Sequence, residues 1–237
     1  EPLAFAQARR ARGRALSFGR DPSADLRASR IRFLDEGAFL FDFESPFGRA
    51  ELRVPGLSET MVENSLAAAG GALAAGATLD AVVSGLSRYA GVHGRMQPRT
   101  LRGGVLGIDD TYNANPQSMQ SALETLARLE QKGRRIAVLG KMGELGEKSS
   151  AAHLELGRLA ARLGLDELFV LGPDATKIAS GAREAGMNGD RVHFEEDAAA
   201  LAARLRARVG AGDRVLFKGS RSARVEQVIE AFEEGDR

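Results

Sequence analysis

Three short polar segments bring together residue types that could bind or transform a ligand: DDTYNANP at residues 109–116, GKMGELGEKSS at 140–150 and KGSRS at 218–222. The first sets two carboxylates, a hydroxyl, a phenol and two side-chain amides side by side and closes on a proline. Each segment follows directly on a short apolar run, GVLGI, RIAVL or RVLF. Taken singly, each is as compatible with ordinary turn and cap chemistry, for which Asp, Asn, Ser and Gly are the usual residues. Their common placement is what matters. In an open α/β sheet, ligands sit outside the carboxyl ends of the strands, often against a helix N-terminus, so three such loops on one rim make a site.

The elements that must position these loops are readable from periodicity. From residue 104 onward the apolar runs GVLGID, RIAVLG, ELFVLG, RVHF and RVLFKG alternate with segments of helical period. That alternation predicts βαβ units and a doubly wound, mostly parallel, Rossmann-like sheet. In the helix after DDTYNANP, Met119, Ala122, Leu123, Leu126 and Leu129 form one apolar stripe. Asn115 is placed to cap it and Pro116 to be its first residue, where a missing N–H costs nothing. Before residue 100 the rhythm differs. RASRIRFL, AFLFDFES and RAELRVPG alternate as strands of a small antiparallel sheet, with Phe39, Phe41 and Phe43 on one side. Two helices are expected next, over 60–75 and 79–89, the first weakened by Gly70, Gly71 and Gly76 unless these pack closely on the sheet. The fold class is therefore α/β, with residues 1–98 a partial α/β domain containing antiparallel strands and 99–237 the doubly wound domain.

Composition narrows the function. With 237 residues, 43% of them hydrophobic, the chain can bury a sizeable core. Thirty-three basic against thirty-two acidic residues leave a net charge of +1, so no long-range field calls for nucleic acid or an anionic membrane. There is no cysteine, hence no disulfide, thiolate metal site or thiol nucleophile. Three scattered histidines show no metal-ligand spacing, and no metal site is assigned. Apolar stretches fall short of the roughly 20 residues that span a bilayer, and no leader pattern opens the chain. The expectation is a cytoplasmic protein without membrane insertion.

Taken together, GIDDTYNANPQSMQSALETL, AVLGKMGELGEKSSAAHLELG and DRVLFKGSRSARVEQVI resemble the carboxy-terminal domain of the Mur ligases. Upstream, VPG, Asn64 with SLAAA, and HGRM resemble the end of that family's central ATPase domain, so the likeness covers nearly the whole chain. The resemblance implies an ATP-dependent amide synthesis in peptidoglycan precursor assembly. A peptide carboxylate attacks the γ-phosphate of ATP, an acyl phosphate forms, and an amine displaces phosphate. The wording of DDTYNANP favours the branch that adds D-alanyl-D-alanine to a UDP-N-acetylmuramoyl-tripeptide.

Residue by residue, the resemblance makes Asp110 the acceptor for the ATP ribose hydroxyls, Arg95 the interdomain arginine at the nucleotide phosphates and Asn64 an adenine contact. It places Tyr112, Asn113 and Asn115 on the loop facing acceptor and nucleotide, and Lys218, Ser220 and Arg221 near the incoming amino substrate. Asn115 carries the competing capping role, and Lys141 is given none. No G-x-x-x-x-G-K-[ST] loop occurs in the sequence. In this family that loop and the magnesium ligands lie upstream, so the chain is expected to resemble a carboxy-terminal part that transfers no phosphoryl group alone, and no catalytic residue is assigned. Two other readings stay open: a non-catalytic module binding a nucleotide or small peptide, and another Mur or folylpolyglutamate-type ligase.

Overall fold

The computed structural model describes residues 8, 10, 13, 15–34, 37–129 and 132–235. It divides into two compact units, Glu1–Gly91 and Val92–Arg237.

In the first unit, strands β1 (Phe18–Gly19), β2 (Leu26–Leu34), β3 (Ala38–Ser45) and β4 (Gly48–Pro55) form a sheet in that order. β2, β3 and β4 are antiparallel, and β1 runs parallel to β2. The expected alternation holds: Phe39, Phe41 and Phe43 are buried with Leu26, Leu52 and Val54. They pack with Val62, Leu66, Ala69 and Leu73 of helix α1 (Thr60–Ala74) and Val82 of α2 (Leu79–Ser87). Gly70 does face the sheet, since a methyl there would lie 3.4 Å from Leu26; Gly71 meets nothing.

The second unit carries a six-stranded sheet, β5 (Gln97–Leu101), β6 (Val105–Asp110), β7 (Arg135–Leu139), β8 (Glu167–Leu171), β9 (Val192–Glu195) and β10 (Arg214–Lys218), in the order β5-β6-β10-β7-β8-β9. All pairs are parallel except β5 with β6. Helices α3 (Pro116–Arg128), α4 (Ser149–Arg162), α5 (Thr176–Glu184), α6 (Ala198–Arg206) and α7 (Glu226–Glu234) supply the connections and the C-terminal cover. One face buries Ile136, Val138, Phe169, Val215 and Phe217 with α6 and α7 residues such as Leu201, Leu205, Val228 and Phe232. The alternate residues Ala137, Leu139, Leu168, Val170 and Leu216 are buried as well, as a sheet covered on both faces requires. α3 packs on β10 and β7, and α5 on β8 and β9. The fold is thus the expected doubly wound, mostly parallel sheet. The compact units divide between Gly91 and Val92, and β5, which lies across the 98/99 break in sequence rhythm, pairs with β6 in the second unit's sheet. No helix among the described residues is long and apolar enough to cross a membrane.

The amino ends of the strands are tied by a charged network. Arg134 donates to Asp213 Oδ2 at 2.7 Å and to Glu167 Oε1 at 2.8 Å; Arg208 Nε and His193 Nε2 meet Glu167 Oε2 at 2.6 and 2.8 Å. Burial holds His193 below the ordinary histidine range, even with Glu167 pulling the other way. The unfolded chain therefore takes up a proton at His193 at a higher pH than the folded one. That contribution to stability is complete above about pH 6.5 and is lost as pH falls below it toward the folded value. Denaturant midpoints measured from pH 8 to 5 should fall with acid in the natural chain, and less in His193→Gln. Parallel curves would show that His193 has no part in the decline.

Candidate functional site at the carboxyl rim

Strand register places the three polar loops on one edge. Lys218 is the register partner of both Asp110 and Leu139, Leu139 that of Val170, and Leu171 that of Glu195. Beyond the strands the loops remain tied: Gly140 N–H donates to Lys218 O and Ser220 N–H to Lys141 O, both at 2.8 Å.

Asp110 sits at the centre of the β6 and β10 end. Its Oδ2 accepts from Lys218 Nζ at 2.6 Å and its Oδ1 from Met96 N–H at 3.1 Å. Lys218 Nζ also donates to the Asn113 carbonyl at 2.9 Å. The lysine side chain is 2% exposed and the aspartate 14%, so the carboxylate edge, not the ammonium, faces solvent. Arg95 lies over the Tyr112 ring, 4.3 Å from its centroid, and Tyr112 N–H donates to Gly94 O at 3.0 Å. This stacking holds the guanidinium against a ring that is itself 49% exposed. Asp110, Arg95, Tyr112, Asn113 and Lys218 are therefore brought together.

The neighbouring Asp109 turns inward. It is 1% exposed, accepts from Thr111 Oγ1 at 2.8 Å and lies 3.5 Å from Arg99 Nη1. Asn115 is the helix cap: its Oδ1 accepts from Ser118 N–H at 2.8 Å while its own N–H donates to Ser118 Oγ at 3.0 Å. The Asn113 Oδ1 accepts from Ala114 N–H at 2.8 Å. Ser220 is buried with its hydroxyl 3.2 Å from Ser222 Oγ, whereas Arg221 is 75% exposed, 3.8 Å from Glu226. Asn64 is exposed on α1 of the first unit.

Beside the Asp110 group a hollow of about 230 Å³ opens between the loops after β7, β8, β9 and β10. Its wall carries both signs of charge, with Lys141 and Arg224 as cations and Asp174, Glu196 and Asp197 as acids. Lys141 Nζ donates to Asp174 Oδ2 at 2.6 Å, a bond that holds the Asp174 carboxyl below the usual carboxylate range. The β7 loop is fixed from beneath by His153. Its Nε2 accepts from Met142 N–H at 2.8 Å, and its Nδ1, which must then carry the hydrogen, donates to Ser149 O at 2.7 Å. Among the described residues, three of the four non-glycine residues with left-handed backbone, Met96, Glu144 and Arg224, lie on this rim. Such conformations cost energy and collect where a site over-determines them. Sequence reasoning passed over Lys141, Asp174 and Arg224. The available signal was positional, since Lys141 and Asp174 stand one and two residues beyond the ends of their apolar runs, RIAVLG and ELFVLG.

Comparison with known proteins matches this arrangement to a family. The family described as "Mur ligase, glutamate ligase domain" matches residues 94–221. A UDP-N-acetylmuramoyl-tripeptide–D-alanyl-D-alanine ligase of Escherichia coli (strain K12) is 36% identical over 90% of this chain and 45% of its own. The ligase of the same name from Mycobacterium bovis is 35% identical over 98% and 49%. Among solved structures, the MurF ligase of Thermotoga maritima in complex with ADP superposes with a TM-score of 0.80 at 32% identity, over 99% of this chain and 51% of that one. A MurF from Acinetobacter baumannii gives 0.85 at 33% identity, over 98% and 50%. The chain spans about half the length of the relatives it matches. With the first two rim loops and most of the third inside the matched segment, and relatives more than 30% identical over nearly all of its length, the chain belongs to the Mur ligase family.

Proposed function

We propose that this chain forms the ribose-binding and amine-binding walls of an ATP-dependent cytoplasmic ligase that joins D-alanyl-D-alanine to a UDP-N-acetylmuramoyl-tripeptide. The observation that carries this reading is Asp110, a carboxylate clasped from behind by Lys218 and Met96 N–H and open to solvent along one edge. An ionised carboxylate is acceptor-only, so it can take both hydroxyls of a ribose, which an amide does only in part. Arg95, on its tyrosine platform, offers a fork of donors suited to phosphate oxygens. Asn64 is the adenine contact from the first unit, and Tyr112, Asn113 and Asn115 present the loop toward acceptor and nucleotide.

In the reaction a carboxylate oxygen of the tripeptide bonds to the γ-phosphorus as the bridging P–O bond to ADP breaks. The dipeptide nitrogen then bonds to the acyl carbon, the C–O bond to phosphate breaks, and the amine proton is released. Such chemistry asks the protein for positioning and charge neutralisation. The two-signed hollow suits a zwitterion: Arg224 receives the dipeptide carboxylate, and Asp174 or Asp197 its ammonium, which gives up a proton before the nitrogen attacks; Ser220 and Arg221, on the same loop after β10, are assigned to the amine substrate by the family resemblance. No cluster of His, Cys, Asp or Glu among the described residues suits a metal ion; in this reading magnesium and the phosphate loop would be held by the part of the ligase that the family resemblance places upstream.

The test is ADP release with ATP, tripeptide and dipeptide present. The 237-residue chain alone should give background release, and the chain extended upstream to the length of its relatives should turn over. Robust turnover by the chain alone overturns its dependence on upstream residues. An extended chain that binds nucleotide without turnover favours the non-catalytic binding module.

A further inference from the structure

We propose that Lys218 is a positioning residue that aims Asp110 at the nucleotide ribose, and that it makes no contact with the amine substrate. The inference rests on the ribose reading of Asp110. Lys218 and Asp110 are register partners at the ends of β10 and β6, so backbone pairing alone delivers the ammonium to the carboxylate. Nζ is 2.6 Å from Asp110 Oδ2 and 2.9 Å from the Asn113 carbonyl, and at 2% exposure it offers no face to a ligand. A compact ammonium can divide its donors between two acceptors in this way, where a planar guanidinium would need both in one plane. Met96 N–H holds the other carboxylate oxygen at 3.1 Å. Each oxygen thus has one protein donor and keeps acceptor capacity toward solvent, which matches a pair of vicinal hydroxyls.

Removing the ammonium frees the carboxylate to rotate and releases the Asn113 carbonyl. The loss should therefore fall on recognition of the ribose hydroxyls and leave the rest of the nucleotide untouched. Calorimetric titration of the 237-residue chain with ADP and with 2′,3′-dideoxy-ADP separates these effects. The natural chain should prefer ADP by about tenfold or more, as expected for charge-assisted hydrogen bonds. Lys218→Met should bind dideoxy-ADP as the natural chain does while its preference for ADP falls to about twofold or less, the residue of hydrogen bonds no longer aligned. A role confined to stability would lower the melting temperature and leave the preference in place. That result, a Lys218→Met chain still preferring ADP tenfold, overturns the proposal. Absence of any preference in the natural chain instead sinks the ribose reading, and this inference with it. Should Lys218→Met not fold, Lys218→Gln, which keeps a neutral donor, is compared in the same way.

Discussion

Gly157→Ala and Gly181→Ala should each destabilise the second unit by about 2–3 kcal/mol or more, at the upper end of what overpacking ordinarily costs. Helices α4 and α5 cross backbone to backbone at these two positions. A methyl on Gly157 would lie 1.9 Å from the Ile178 carbonyl oxygen and 2.7 Å from Ala182 N; one on Gly181 would lie 1.9 Å from the Leu154 carbonyl oxygen. These obstacles are helix backbone and have no rotamer to move into, so one helix must shift bodily. α4 also carries His153, which anchors the β7 loop through Met142, so the same shift should loosen one wall of the hollow. Gly71→Ala is the control. That residue lies inside α1, is exposed, and a methyl there meets nothing, so the substitution should be neutral or stabilise by about 0.5–1 kcal/mol. Urea titrations with unchanged slope measure both. A Gly157→Ala midpoint equal to that of the natural chain would mean that the helices part at no cost.

The need for those glycines is invisible locally, since nothing within a turn of either residue calls for glycine. Only the crossing does, and a crossing is a tertiary fact. The strands were legible because a buried parallel strand is a short apolar run with polar punctuation, and each of the five runs after residue 104 became one. β5 was not. QPRTL is short, alternates only weakly and contains Pro98, which an edge strand tolerates because its outward N–H has no partner to lose. It straddles the expected domain break at 98/99. At the site, the DDTYNANP loop stood out at the end of an apolar run and the choice of Asp110 within it came from the family resemblance, while the Asn115 cap followed from Pro116 and the helical stripe behind it. The role of Lys218 did not. Its partner lies 108 residues away in sequence, and a strand-terminal lysine more often points into solvent. Periodicity predicts which residues share a face. It does not say which two loop side chains meet once the fifth parallel strand inserts between the first and second.

Asp110→Asn should weaken ADP binding by about 10- to 100-fold, the equivalent of one or two charge-assisted hydrogen bonds. The amide keeps a single oxygen. If that oxygen serves Lys218, the nitrogen opposes Met96 N–H, donor against donor; if it serves Met96, the nitrogen opposes the Lys218 ammonium. Either way the edge toward solvent loses its charge and half its acceptors, so the ribose hydroxyls lose partners while adenine and phosphate contacts are unchanged. Dideoxy-ADP should consequently bind the variant and the natural chain alike. The variant should also melt earlier, because Lys218 is left as a buried cation without its counter-charge, and affinities must be read well below that transition. Asp109→Asn separates the two adjacent carboxylates of DDTYNANP. Asp109 is turned inward to Thr111 and Arg99, so its replacement should lower stability and leave the preference for ADP over the dideoxynucleotide intact. Loss of that preference in Asp109→Asn with its retention in Asp110→Asn would move the ribose site one residue back along β6 and into the sheet, where a side chain 1% exposed has no edge to offer a ligand.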